Sequence, residues 1–185
     1  MIIQEIKHPL VINHLSKHKS IKDKLLQKIK TQNSKSFVKK QDGINDNIHK
    51  LDWNSHSDFT RPWVKFFLPY FEESIAEIIN KLKFKEVLLH GIWFQQYDKN
   101  GTHGWHTHGN NFTGVYYLDL PKDSPATQIC NPMNQEEVID LNVKEGDIII
   151  FPSFVVHRAP YNKSNSTKTI ISFNLDLENP TKGDE

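Results

Sequence analysis

The sixteen residues "YDKNGTHGWHTHGNNF" (97–112) hold three histidines, a tryptophan and three glycines. Neutral imidazole is a common ligand for catalytic metals. In an extended segment, side chains two apart share a face, so His106 and His108 can direct their rings to one point. One strand cannot wrap an ion, so a third ligand has to come from elsewhere. His157, in "FPSFVVHRAPY", lies between two apolar runs far along the chain and can supply it. Two histidines from one strand and one from another leave coordination positions open, the pattern of a catalytic rather than a structural metal. Taken singly, each of these histidines reads more simply as a loop or strand-end residue; the three together read as a metal site. His103 stands three residues before His106, an odd offset in a strand, and is expected to face away or sit in the loop. His90 alternates with "VLLHGIWF" and reads as a hydrogen-bonded core residue. His8, His14, His18, His49 and His56 have no partner at ligand spacing and read as surface residues.

The elements that must position these histidines change character near residue 85. Before it, the pattern is helix and loop. "SIKDKLLQKIK" (20–30) predicts a helix capped by Ser20, with Ile21, Leu25 and Ile29 on one face. Residues 31–61 are polar and predict a long irregular segment, either disordered or a lid. "RPWVKFFLPYFEESIAEIINKLKF" (61–84) predicts the strongest helix, its stripe running through Phe67, Tyr70, Phe71, Ile75, Ile78, Ile79 and Leu82. Pro69 should kink this helix or open a second one. After residue 85 come short apolar or alternating runs: "EVLLHGIWFQQY", "TGVYYLDL", "DIIIF", "FVVHRA" and "KTIISFNL". Turn signals such as "KNG", "PKDSP", "KEGD" and "NKSNS" separate them. The expected fold is mainly β with flanking helices: a sandwich or barrel behind a helical N-terminal half. We expect a single domain over 1–185, with helical and loop support in 1–85, a β core in 86–177 and a frayed tail from 178.

Composition narrows the function classes. The 185 residues carry a formal net charge of +1, with 37% hydrophobic and 24% charged side chains, so nothing indicates a nucleic-acid or membrane partner. Arg61 and Arg158 are the only arginines, and Cys130 is the only cysteine, which excludes an internal disulfide and fits a reducing compartment. The amino terminus lacks the pattern of a signal peptide, and no stretch approaches a membrane span. A cytoplasmic location is the expectation, and oligomeric state stays open.

Three stretches together, "QQYDKNGTHGWHTHG", "TGVYYLDLP" and "VKEGDIIIFPSFVVHRAPYNKSNSTKTIISFNL", resemble the Fe(II)/2-oxoglutarate-dependent dioxygenases. The nearest branches are the prolyl-hydroxylase-like enzymes and a group of oxygenases of marine bacteria and phages. The likeness spans residues 86–177 and implies a double-stranded β-helix, a cupin-like jelly roll with iron at its mouth. The family metal motif is His-X-Asp/Glu and a distant histidine. His106 and His157 match its histidines, and His108 stands at the carboxylate position. The resemblance further implies that Lys168 anchors the distal carboxylate of 2-oxoglutarate, since a carboxylate buried without a cation is severely destabilised. Tyr117 and Ser172 would donate to that carboxylate, and Tyr97 and Gln95 resemble another pair contacting the co-substrate. Asn174 shares the face of Lys168 and Ser172 by alternation. Arg158, next to His157, should point to the opposite face and form a structural ion pair. Trp93 and Trp105 lie near the mouth and could line a substrate pocket, with core packing the simpler role for Trp93.

The implied reaction is hydroxylation of a small-molecule or peptide substrate by O2, with oxidative decarboxylation of 2-oxoglutarate to succinate and CO2. It needs no general base, in keeping with the lack of a paired-carboxylate signature. Two other readings stay open: a three-histidine iron dioxygenase that uses no 2-oxoglutarate, and a non-catalytic jelly roll that binds a metal or ligand.

Overall fold

The computed structural model describes residues 8–41 and 44–179; the expectations for the first residues and for the tail beyond 179 lie outside them. The chain runs β1 (Val11–His14), α1 (His18–Lys30), β2 (Lys35–Gln41), β3 (Ile44–Leu51), a 3-10 turn (Trp53–Ser55) and α2 (Pro62–Leu82). It continues through β4 (Glu86–Tyr97), β5 (His103–His106), β6 (Phe112–Asp119), β7 (Gln128–Asn131), β8 (Asn134–Asp140), β9 (Asp147–Pro152), β10 (His157–Ala159) and β11 (Lys168–Glu178). The strands form a seven-stranded sheet, β1-β9-β6-β11-β4-β3-β2, and a four-stranded sheet, β5-β10-β7-β8. Every pairing is antiparallel.

Alternation splits the large sheet into two apolar faces. Tyr116, Ile148, Ile150, Ile171 and Phe173 join Leu25, Phe67, Phe71 and Ile75 in the core beneath the helices. Their neighbours along the same strands, Val115, Tyr117, Ile149, Phe151 and Ile170, meet Ile129 and Ala159 of the small sheet. A strand buried on both faces gives a continuous apolar run rather than an alternating one, as in "DIIIF". The inner space between the sheets is where the polar residues of β11 lie: Lys168, Ser172 and Asn174 alternate on that face.

Several expectations need correction. Residues 31–61 are not an irregular loop. They contain the β2–β3 hairpin, whose outer strand is exposed along its whole length. A strand that buries neither face has no apolar alternation to reveal it. With β1 in the large sheet as well, the N-terminal half is not purely helical. Helix α1 begins at His18, so Ser20 lies inside it and donates to the Lys17 carbonyl instead of capping. Helix α2 is one continuous helix with Pro69 inside it, opened by Pro62 and closed by Lys83 in the left-handed conformation. The packing of Phe67, Phe71, Ile75 and Ile78 beneath it outweighs the hydrogen bond that Pro69 forfeits.

Two histidines change places. His18 is buried, on the same α1 face as Ile21 and Leu25, with its ring nitrogens against the Tyr116 hydroxyl (2.7 Å) and Glu145 (3.2 Å). His90 is hydrogen-bonded, at 2.6 Å to Asp176, but on the surface rather than in the core. Arg61 is the buried arginine. Its guanidinium pairs with Asp52, which also accepts from Trp63 Nε1 (2.8 Å) and the Phe94 amide (2.9 Å). One carboxylate thereby ties the start of α2 and the 3-10 turn to the middle of β4.

Candidate active site

Strands β5 and β10 are neighbours in the small sheet, with His106 opposite His157 and His103 opposite Ala159. Between these pairs Arg158 alone on β10 therefore stands against two residues of β5, Gly104 and Trp105. This is a bulge, and the extra residue shifts the phase of the strand. It overturns the expectation for His103, which comes round beside His106 with ring centroids 3.9 Å apart. The pairing of His106 and His108 also has a different origin from a shared strand. β5 ends at His106, and His108 lies in the following turn, its amide donating to the Ser153 carbonyl at 3.1 Å.

His106, His108 and His157 bring one ligand nitrogen each to within 4.8 Å of one another. Two of the rings are oriented by the backbone: His106 Nδ1 donates to the Gly104 carbonyl (2.7 Å) and His157 Nδ1 to the Val155 carbonyl (2.9 Å). Each bond fixes a neutral tautomer and leaves Nε2 as the free lone pair, the usual second support of a metal-binding histidine. His108 Nε2 lies 3.3 Å from His157 Nε2. Burial, reinforced by the neighbouring His106 ring, pushes His157 down to about 2 and His108 to about 4; burial also lowers His106. All three are thus neutral at physiological pH, as a divalent cation requires. The donor set fits iron(II), with room left for further ligands.

His103 is not part of that cluster. Its Nδ1 faces the Gln95 amide at 3.5 Å, and its Nε2 lies 3.8 Å from Asp46, whose carboxylate accepts from the Gly104 amide (2.8 Å). Burial, with the nearby His106, holds it down at about 3.

A small inner pocket of about 30 Å³ adjoins the three histidines. Gln95, Tyr97 and Ser172 line it, and Ser172 donates to Gln95 at 3.1 Å. Lys168 is only 1% exposed. It is not in the pocket wall itself; its ammonium lies 4.9 Å from the ring centre of Tyr97, which is, and donates to the Pro125 carbonyl at 2.9 Å. Burial lowers it to about 8, and no carboxylate pairs with it among the described residues. Tyr117 donates to Thr127 (2.9 Å), and burial pushes its hydroxyl up to about 12, so it stays a donor. Thr127 lines the pocket and was not foreseen; nothing in "SPATQIC" marks it.

The outlying candidates fall as follows. Asn174 accepts from Thr113 (3.1 Å) and does not reach the pocket. Arg158 forms no ion pair among the described residues. It lies over the Trp105 ring at 4.4 Å, donates to Gln128 (2.7 Å), and borders the inner pocket. The aromatic face takes the place of the expected carboxylate. Trp93 is buried, yet it lines both the inner pocket and a larger outer one of about 290 Å³. The other wall of the outer pocket is built by Phe37, Ile48, Leu51 and Trp53, from the segment whose strands were not legible.

Residues 91–174, which contain all three histidines and Lys168, match the family described as "Putative 2OG-Fe(II) oxygenase". This stretch, somewhat under half of the chain, is similar to the 2OG-Fe(II) oxygenases. The family consists of oxidoreductases that use Fe(II) and 2-oxoglutarate, and the three-histidine cluster fits the iron. Among solved structures, the chain is similar to an oxidoreductase of the 2OG-Fe(II) oxygenase family from Burkholderia pseudomallei. The TM-score is 0.72 at 11% identity, covering 92% of this chain and 86% of the other. A prolyl-4-hydroxylase from Pseudomonas putida gives a TM-score of 0.63 at 11% identity, covering 92% and 94%. A prolyl hydroxylase from Trichoplax adhaerens, solved with a peptide fragment, gives 0.61 at 13% identity, covering 90% and 83%. At these identities the likeness is one of fold, a jelly roll. No curated protein matches the sequence. No helix among the described residues is long and apolar enough to cross a membrane.

Proposed function

We propose that this oxygenase is a dioxygenase that hydroxylates its substrate while 2-oxoglutarate is decarboxylated to succinate and CO2. His106, His108 and His157 hold the iron, and Lys168 anchors the co-substrate. The observation that carries this reading is Lys168: an ammonium 1% exposed, against the ring of Tyr97, which lines the pocket at the three histidines, with no anionic partner among the described residues. A buried charge is costly without a counter-charge, and a ligand carboxylate supplies one.

Iron(II), when bound, supplies activation of O2 at the expense of the 2-keto acid. The side chains do the rest. The Gly104 and Val155 carbonyls keep His106 and His157 in the tautomer that presents Nε2. Tyr117 and Thr127 form a hydroxyl pair near Lys168, and Ser172 and Gln95 form a hydrogen-bonded floor. Trp93 packs beside His108 and lines the pocket at the histidines. No side chain has to act as a general base.

A second reading is favoured by the ligand set, because three histidines without a carboxylate also suit a dioxygenase that binds its substrate directly to iron. Succinate formed from 2-oxoglutarate by iron-loaded protein without added substrate separates the two. The proposal expects slow, iron-dependent succinate that is lost in His157→Ala. Absence of succinate, with no 2-oxoglutarate binding, transfers the assignment to the second reading.

A further inference from the structure

We infer that the outer pocket receives a neutral, apolar ring of the substrate and presents its C–H bonds to the iron. This rests on the three histidines being the reacting centre, as proposed above. The outer pocket shares Trp93, Gln95, His103, His106 and His108 with the inner one, so whatever fills it lies against the cluster. Its far wall is apolar. Ile48 is fully buried there, while Phe37 and Trp53 leave 41% and 40% of their surface to water. Among the residues lining it there is no carboxylate, ammonium or guanidinium. The charges nearby are committed elsewhere: Asp46 to the Gly104 amide, and Arg158 to Trp105 and Gln128.

Two consequences follow. A cation entering this pocket would lose its hydration and gain no partner, and an anion would meet only an iron whose charge bound 2-oxoglutarate already neutralises, a penalty that neutral hydrocarbon avoids. The charged ends of a free amino acid or a nucleotide therefore have to stay outside it. Second, the aromatic wall is fixed before any ligand arrives. Trp53 stacks on His56 with centroids 4.4 Å apart and an interplanar angle of 10°, and meets Trp93 edge-on at 4.4 Å and 84°. A rigid aromatic wall loses little entropy on binding and favours a ring over a flexible chain. The volume, about 290 Å³, lies at the small end of ligand pockets, enough for one or two rings.

Cyclohexanol, cyclohexanecarboxylate and cyclohexylammonium place one ring in three charge states. They can be titrated into protein loaded with Zn(II) and 2-oxoglutarate, following the indole N–H resonances of Trp53 and Trp93 by NMR. We expect saturable shifts of both resonances with cyclohexanol, and at least about tenfold weaker binding of the two ions. Trp53→Ala, at a half-exposed position, should weaken cyclohexanol binding, and Leu51→Lys should abolish it while admitting cyclohexanecarboxylate. Equal binding of neutral and charged rings, or binding that leaves the Trp53 and Trp93 signals unmoved, overturns the inference. Its failure is distinct from failure of the proposed reaction. Succinate made by a protein that rejects the neutral ring sinks only this pocket, whereas a ring bound by a protein that makes no succinate sinks only the co-substrate.

Discussion

His106 and His157 face each other across the β5–β10 ladder, with ring centroids 4.3 Å apart and each Nδ1 donated to a carbonyl of its own strand region. Backbone pairing holds two of the three candidate ligands in place without any cation.

His106→Ala, His108→Ala and His157→Ala should each lose stoichiometric iron, measured by metal analysis after anaerobic loading. His103→Ala should retain it, because His103 faces Gln95 and Asp46 rather than the cluster. Iron kept by His108→Ala and lost by His103→Ala would make His103, not His108, the third ligand.

His108→Asp should still bind iron. The position is set by the backbone bond from the His108 amide to Ser153, which the substitution leaves in place. The carboxylate also removes one positive charge from the loaded site and should raise 2-oxoglutarate turnover. A variant that takes up no iron would show that the turn is built for the longer reach of an imidazole.

Lys168→Ala should weaken 2-oxoglutarate binding by roughly ten- to a hundredfold or more, from the loss of a charge-assisted bond worth about 1.5–3 kcal/mol. Iron binding should be unchanged. Anaerobic titration, read by the visible charge-transfer band, measures both effects. Equal affinity in variant and wild type would make Arg158, at the pocket's edge, the next candidate anchor.

The same lysine gives a pH dependence. Burial lowers its pKa to about 8 in the free protein, and 2-oxoglutarate requires the charged form. Affinity should be level below about pH 8 and fall as pH rises beyond it. The stability linkage has the opposite sense: with a folded value below the unfolded one, the cost of the buried charge is present below about 8 and relieved as pH rises from there toward the unfolded value. Lys168→Met should accordingly melt higher than wild type at neutral pH while losing 2-oxoglutarate. A lower melting temperature would contradict this balance.

Arg61→Ala should destabilise the fold by about 3–5 kcal/mol, read by denaturant unfolding, because it leaves Asp52 buried and unpaired. Asp52→Asn with Arg61 intact should also be destabilising, since the same carboxylate accepts from Trp63 and Phe94. A change within experimental error in both variants would mean that water replaces the lost partners.

The sequence by itself determined four strands of the large sheet and which imidazoles are candidate ligands, while β5, β7 and β8 of the small sheet went unread and β10 covers only the second half of "FVVHRA". β4 occupies the range of its apolar run, and β6, β9 and β11 lie within a few residues of theirs, because β6, β9, most of β11 and the second half of β4 are buried between a helix layer and a second sheet and are apolar on both faces. "HGWHTHG" and the distant His157 were legible because imidazoles at that density have few structural uses. Tertiary structure decided the rest. The bulge that turns His103 toward His106 comes from setting one residue of β10 against two of β5, and no local pattern encodes a partner strand's register. In the β2–β3 hairpin the outer strand is exposed throughout and the buried alternates of β3 are Asp46 and Ile48, one of them polar, so no apolar periodicity is left to read, yet it supplies Phe37, Ile48 and Leu51 to the outer pocket. Ligand type is a property of residues, but the shape of the space in front of them depends on which distant segments the sheet brings alongside.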